Sequence, residues 1–184
     1  MCLIATCLIV ATLGNRPTVA QESEMRRVVA QDLDLTASPA NNIQLKIWSD
    51  RLPEIIADRR QLLKSVPQLK LRLVTEVFTT SFKDGDRTII VSAVHYQCTS
   101  TQLLPNELDC PARVAEISAE NVRILKEIPS FPFSSVRSDA GYDASSNNQT
   151  KNMTLIGFDP KSHQLTMKVI SDGEVAPAEI ISLK

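Results

Sequence analysis

The stretch that decides the fold runs from Leu69 to Cys98 and reads LKLRLVTEVFTTSFKDGDRTIIVSAVHYQC. It is rich in Val, Ile, Thr and Phe, and many of its apolar residues recur with a period of two, which is typical of strands. Lys83–Asp86 (KDGD) divides it, and an Asp-Gly pair is a strong hairpin signal because both residues tolerate a positive φ. We therefore expect two antiparallel strands, over 69–82 and 87–98.

This hairpin has two faces of different character. A turn centred on Asp84 and Gly85 would pair Phe82 with Arg87 and Glu76 with Ala93. One face is then mostly apolar and carries Leu71, Leu73, Val77, Ile90, Val94 and Tyr96. The opposite face is apolar near the turn and polar away from it, where it carries Arg72, Glu76, His95 and Gln97.

The polar end of the second face is the candidate site. Glu76 and His95 would be diagonal neighbours within side-chain reach. A carboxylate beside an imidazole can orient it and raise its pKa, which suits a general base. Glu76 and His95 are therefore the candidate catalytic residues, and Arg72 and Gln97 join them as candidate ligand contacts. The alternative is a solvated surface, on which an ion pair contributes at most about 1 kcal/mol.

Helical patterns precede the hairpin. The segment from Glu24 to Leu35 has a weak helical stripe, and a stronger one begins after Ser49 and ends before Pro67. The second stripe contains Ile55, Leu62 and Leu63, which should pack on one face of the sheet.

More strands follow the hairpin. The segment 118–128 fits either a short helix or a strand. Strands are expected over 113–117, 153–158, 164–170 and 175–183, the last three forming a meander. The fold predicted for residues 21–184 is a single α+β domain in two layers, with N-terminal helices packed on an antiparallel sheet of about five to six strands.

The beginning of the chain predicts export. Cys2–Leu13 is an unbroken apolar run, too short for a spanning helix of about 20 residues. Thr18-Val19-Ala20 fits a cleavage site, so residues 1–20 are predicted to be a signal peptide, leaving no membrane span after cleavage. Because no Lys or Arg precedes the run, an uncleaved anchor is the alternative. A lipoprotein is disfavoured because Thr6, rather than a smaller residue, precedes Cys7.

The cysteines agree with export to a secreted or periplasmic location. Two of the four, Cys2 and Cys7, belong to the predicted signal peptide. The other two, Cys98 and Cys110, are expected to form one disulfide, as is usual in oxidising compartments. A redox pair or a metal site is the alternative, but the chain has no C-x-x-C motif, and no histidine lies between these two cysteines.

A polar loop is predicted over 134–152, which reads SSVRSDAGYDASSNNQTKN. Asn148-Gln149-Thr150 and Asn152-Met153-Thr154 match the N-glycosylation pattern. Asn148 and Asn152 are candidate glycosylation sites in a eukaryotic secretory pathway, whereas in a bacterium the matches carry no meaning.

A basic cluster surrounds the predicted helix before the hairpin. Two acidic residues, Glu54 and Asp58, accompany it. An anionic polymer or a lipid headgroup is one partner for such a cluster, and the solvent face of an amphipathic helix is the simpler explanation. The cluster contains Arg51, Arg59, Arg60, Lys64, Lys70 and Arg72.

Several chemistries are missing from the sequence. The chain has 5 glycines, none grouped as a phosphate-binding loop requires, and no G-x-S-x-G. His95 and His163 are far apart and no H-E-x-x-H occurs, so neither a metal nor a cofactor is expected. A net charge of −1 gives no reason to expect a nucleic-acid partner.

Taken together, these features predict a small exported binding or accessory protein. It would act by surface contact with a protein or a small ligand outside the cytoplasm, and no enzymatic activity is favoured. The alternative is a small enzyme or small-ligand binder whose site on the sheet face is built around Glu76 and His95.

Overall fold

Two antiparallel sheets, two α-helices and a 3₁₀ turn make up the part of the chain that the computed structural model describes, which is residues 24–65, 72–100, 107–119, 121–134, 153–171 and 173–184. The helices are α1 (Ile43–Ile47) and α2 (Leu52–Ser65). The strands are β1 (Arg26–Arg27), β2 (Val29–Asp34), β3 (Val74–Asp84), β4 (Arg87–Val94), β5 (Thr99–Ser100), β6 (Glu107–Ser118), β7 (Asn121–Ser134), β8 (Met153–Asp159), β9 (Gln164–Ser171), β10 (Glu174–Val175) and β11 (Glu179–Ser182).

The larger sheet is built around the β3–β4 hairpin. Its order is β2-β3-β4-β6, with β7 pairing β6 on the side away from β4 and the short β5 pairing the beginning of β6. The smaller sheet has β8 and β9 at its centre. β1 pairs β8, and both β10 and β11 pair β9.

Both faces of the larger sheet are covered. The face bearing Phe78 and Phe82 packs on the inner face of the smaller sheet, where Ile156 and Leu165 are fully buried. Phe78 stacks on Phe133 with ring centroids 4.9 Å apart. The opposite face packs on the helical segment through Val77, Ile90, Val94, Leu45, Ile47, Trp48 and Ile55.

The predicted two-layer α+β fold is wrong, because the molecule is mostly β and has two sheets. The segment 24–35 contains β1 and β2 rather than a helix. Its helical stripe is weak, and β2 instead satisfies its backbone groups by pairing with β3 from Val29 to Asp34. The C-terminal meander forms a sheet of its own, because its apolar face packs across the first sheet instead of extending it.

The hairpin is present, but its register differs from the prediction. Asp84 pairs with Arg87, and Gly85 begins the two-residue loop with a φ of 60°. Partners therefore shift by two residues, and the N–H of His95 donates to the carbonyl of Glu76 at 2.9 Å. Because the side-chain period of a strand is two, this even shift leaves the paired side chains of β3 and β4 on their expected faces.

The helices differ in how well they pack. Asn42 caps α1 by accepting from the N–H groups of Gln44 and Leu45. The predicted stronger helix is present as α2, but its stripe packs only in part. Ile55 is buried, whereas Leu62 is 51% exposed, because the second half of the helix runs away from the sheet.

Three further predictions have different outcomes. In the ambiguous segment 118–128, Ser118 ends β6 and residues 121–128 belong to β7, so the strand alternative is the one observed for the described residues. The Cys98–Cys110 disulfide is present. The signal peptide over 1–20 and residues 135–152 of the polar loop, which include Asn148 and Asn152, lie outside the described residues.

Among the described residues, the helices are all too short or too polar to traverse a bilayer.

Candidate functional site

Glu76 and His95 lie together on the larger sheet. The imidazole Nδ1 is 3.4 Å from a carboxylate oxygen of Glu76. The side chains are 21% exposed for Glu76 and 43% exposed for His95. His95 is therefore accessible to water, whereas Glu76 is mostly covered.

Arg72 and Gln97 do not join this pair. The guanidinium of Arg72 contacts the Asp34 carboxylate at 3.2 Å. Strand β4 ends at Val94, and the N–H of Tyr96 donates to the Val94 carbonyl in a tight turn. Side-chain alternation stops at this turn, so Gln97, with a φ of 54°, leaves the predicted face.

The basic cluster is dispersed on the surface. Arg51 pairs with Glu54 at 3.3 Å, and Arg72 pairs with Asp34. Arg60 and Lys64 are exposed on α2, and Lys70 lies outside the described residues. The described members do not converge on one site.

A buried arginine, Arg113 on β6, organises a different region. Its side chain is 4% exposed, and its guanidinium donates to both carboxylate oxygens of Asp50, at 2.5 and 2.8 Å. It also donates to Glu127 on β7 at 2.6 Å and to the Ile47 carbonyl at 2.9 Å. Arg113 thereby joins the turn after α1 to two strands of the sheet.

Trp48 connects this arginine to a chain of buried polar groups. The guanidinium carbon of Arg113 lies 4.7 Å from the centre of the Trp48 ring, in cation–π geometry. The indole N–H donates to Ser92 Oγ at 2.9 Å, and Ser92 donates to the Gln44 side chain at 2.6 Å. The side-chain amide of Gln44 in turn donates to Thr79 Oγ1 at 3.1 Å. The helical segment is thus held on the sheet by hydrogen bonds as well as by apolar packing.

A pocket of about 200 Å³ opens beside Arg113 and Trp48. Its apolar walls include Pro111, Ile128 and Pro129. The β6–β7 ladder is irregular between Cys110 and Ala112, and neither proline has an N–H to give to it. The pocket therefore forms where the ladder is irregular, next to the disulfide.

Polar groups from two other segments form the mouth of the pocket. The turn after β4 contributes Tyr96 and Gln97, and the Gln97 amide donates to Tyr96 Oη at 2.9 Å. Tyr96 Oη donates to Glu54 at 3.3 Å. Arg51 and Glu127 complete the polar lining. A few convergent polar groups beside apolar walls are typical of a binding pocket.

Contacts with carboxylates contribute to the pKa shifts of the groups in and around the pocket. The hydrogen bond from Arg113 lowers the pKa of Asp50, and the same bond raises the pKa of Arg113. Partial burial raises the pKa of Tyr96, with the negative charges of Glu54 and Asp58 acting in the same direction. The Tyr96 hydroxyl therefore stays protonated in neutral solution and can donate to Glu54.

Sequence reasoning missed this region. Arg113 is a basic residue between the apolar Ala112 and Val114, and Trp48 is the single tryptophan of the chain. Pro111 and Pro129 interrupt long extended segments, which is a signal for bulges or edge strands. These signals single out unusual positions, but they do not show that those positions come together in the folded protein.

Among the described residues, no group of three or more His, Cys, Asp or Glu side chains is arranged to hold a metal ion. Comparisons with protein-family models, with curated protein sequences and with solved structures find no match to this chain.

Proposed function

We propose that this chain is a small exported protein that binds its partner by surface contact and performs no catalysis. The observation that carries this proposal is the exposure of His95, the candidate general base. His95 is 43% exposed, and neither His95 nor Glu76 lines the pocket beside the disulfide. General acid–base groups work best in a site that encloses the substrate and excludes water.

The location outside the cytoplasm, secreted or periplasmic, is part of the proposal. The Cys2–Leu13 apolar run supports a signal peptide, and the Cys98–Cys110 bridge is compatible with an oxidising compartment. Intact-mass measurement of the secreted protein tests the first step, since the mature chain should begin at Gln21. Retention of residues 1–20 would contradict cleavage.

The binding activity is tested by affinity capture. The mature protein, immobilised with its disulfide intact, is exposed to the extracellular or periplasmic fluid of its source, and retained proteins are identified by mass spectrometry. A true partner should bind again as a purified protein with one defined stoichiometry. If nothing is retained beyond what an unrelated disulfide-bonded domain retains, the binding proposal is wrong.

The second candidate is a small enzyme, favoured by the 3.4 Å approach of His95 to Glu76. This proposal expects a hydrolytic activity that His95→Ala abolishes and Glu76→Gln reduces. His163→Ala is the matched control, because it removes the only other histidine of the chain. Equal activity in the His95 and His163 variants would eliminate this candidate.

A further inference from the structure

The pocket beside the disulfide has the chemistry of an anchor for a partner's side chain. Its walls at Pro111, Ile128 and Pro129 are apolar, while its mouth carries the carboxylate of Glu127 and the hydroxyl of Tyr96. A volume of about 200 Å³ accommodates one long side chain. Arginine and lysine combine an apolar stem with a charged head, which matches this division.

Carboxylates neutralise the two guanidinium groups that line the pocket, those of Arg51 and Arg113. Arg113 contacts Asp50 and Glu127, and Arg51 contacts Glu54. Of these three carboxylates, only Glu127 lines the pocket itself. The linked group of two guanidiniums and three carboxylates has one negative charge in excess, which favours a cation over an anion as the occupant.

The carboxylates also remain accessible. The side chains of Glu127 and Glu54 are 60% and 51% exposed, so each can accept a further hydrogen bond without breaking the one it makes. The pocket is held by the Cys98–Cys110 bridge and by the Arg113 contacts, so little conformational freedom needs to be lost on binding.

We propose that this pocket takes an arginine or lysine side chain of the partner protein, with the stem between Pro111 and Pro129 and the cation at Glu127 and Tyr96. This inference rests on the proposed binding function. It makes the pocket the centre of the contact surface and predicts a partner with a protruding basic residue.

The test uses Nα-acetyl-arginine amide as the probe and Nα-acetyl-citrulline amide as its neutral counterpart. Trp48 lines the pocket and is the only tryptophan, so its fluorescence and its indole N–H resonance report binding without ambiguity. The arginine probe should shift both signals in a saturable manner, and the citrulline probe should not. Equal responses to the two probes would show that charge is not recognised, and the proposal would fail.

Two variants and one control localise the effect. Glu127→Gln should weaken binding of the arginine probe by about fivefold, the effect of one partly exposed ion pair. Tyr96→Phe removes the hydroxyl but keeps the aromatic ring, and it should also weaken binding of the arginine probe. Glu179→Gln makes the same change at an exposed position of the smaller sheet and should have no effect. Unchanged affinity in both Glu127→Gln and Tyr96→Phe would overturn the proposal.

The captured partner separates this inference from the proposed function. A partner that binds the wild type and Glu127→Gln equally well would contradict the anchor and leave the binding function standing. If no partner is captured although the arginine probe binds, the surface-contact function is wrong, and the anchoring of a partner's side chain is overturned with it.

Discussion

Arg113 shows how this protein accommodates a charge in a buried position. Its guanidinium is satisfied by two carboxylates, a backbone carbonyl and the face of Trp48. The carboxylates themselves remain largely in water, with Asp50 62% exposed and Glu127 60% exposed. Only one of the three charges has therefore lost most of its solvent, which keeps the desolvation cost of the cluster low.

Removing one of these carboxylates should destabilise the fold. We expect Asp50→Ala to lower the free energy of unfolding by roughly 1–2 kcal/mol, because Arg113 loses two of its hydrogen bonds while staying buried. Asp58→Ala, at an exposed position of α2, is the matched control and should change the free energy of unfolding by less than about 0.5 kcal/mol. Urea denaturation measures both, and equal midpoints would contradict the role given to Asp50.

The same contact should make stability depend on pH. The pKa of Asp50 is lowered in the folded protein, chiefly by the hydrogen bond from Arg113. Its stabilising contribution is therefore complete above the unfolded pKa of about 3.9 and is lost as the pH falls through the lower folded pKa. The difference in unfolding free energy between wild type and Asp50→Asn should shrink from pH 6 to pH 3. A constant difference would show that the charge of Asp50 is irrelevant.

Helix α2 shows that a regular apolar stripe does not guarantee burial. Ile55 is 1% exposed and packs with Val77 and Val94 under the helical layer, whereas Leu62, two turns later, is 51% exposed. Of the apolar residues of this helix, Leu52, Ile55 and Ile56 pack in the core under the helical layer, and Leu62 and Leu63 do not belong to it.

Truncation of these two side chains should distinguish the two halves of the helix. Ile55→Ala is expected to cost about 2–5 kcal/mol, because it leaves a cavity among fully buried neighbours. Leu62→Ala should cost less than about 0.5 kcal/mol. Thermal unfolding of the two variants beside the wild type provides the measurement. A Leu62→Ala loss as large as that of Ile55→Ala would place Leu62 in a core.

The larger sheet joins the two cores of the molecule. Its side chains alternate between the cluster shared with the smaller sheet and the cluster shared with the helical segment. Trp48 belongs to the second cluster, whereas Leu165 of β9 belongs to the first. Because one sheet supplies a face to both cores, they should unfold as a single cooperative unit.

A variant in the smaller sheet tests this cooperativity. Leu165→Ala should lower the free energy of unfolding by about 2–5 kcal/mol. Its midpoint should shift equally when followed by Trp48 fluorescence and by far-UV circular dichroism, although Trp48 lies on the opposite face of the larger sheet. Val175→Ala, at a position that is 61% exposed, is the control. A shift seen by circular dichroism alone would show that the two cores unfold separately.

Local sequence was sufficient for the features whose partners are close along the chain. The Asp84-Gly85 turn and the alternation on either side of it predicted the hairpin and the faces of the side chains in β3 and β4, but not the register or the position of Gln97. The spacing of Cys98 and Cys110 predicted their bridge, and the stripe after Ser49 predicted α2. The hairpin and helix depend on backbone preferences and side-chain periods within a few residues, and the bridge spans a short loop, so all three can be read from sequence.

Tertiary structure alone decided the features that depend on distant partners. The segment with the weak helical stripe over Glu24–Leu35 is extended because β2 forms backbone hydrogen bonds with β3. The C-terminal meander forms a second sheet because its apolar face packs on the first one. The pocket likewise needed segments around Trp48, Tyr96 and Pro129 to meet. Such contacts depend on complementary shape and unsatisfied backbone groups across long separations in the chain, and no local pattern encodes them.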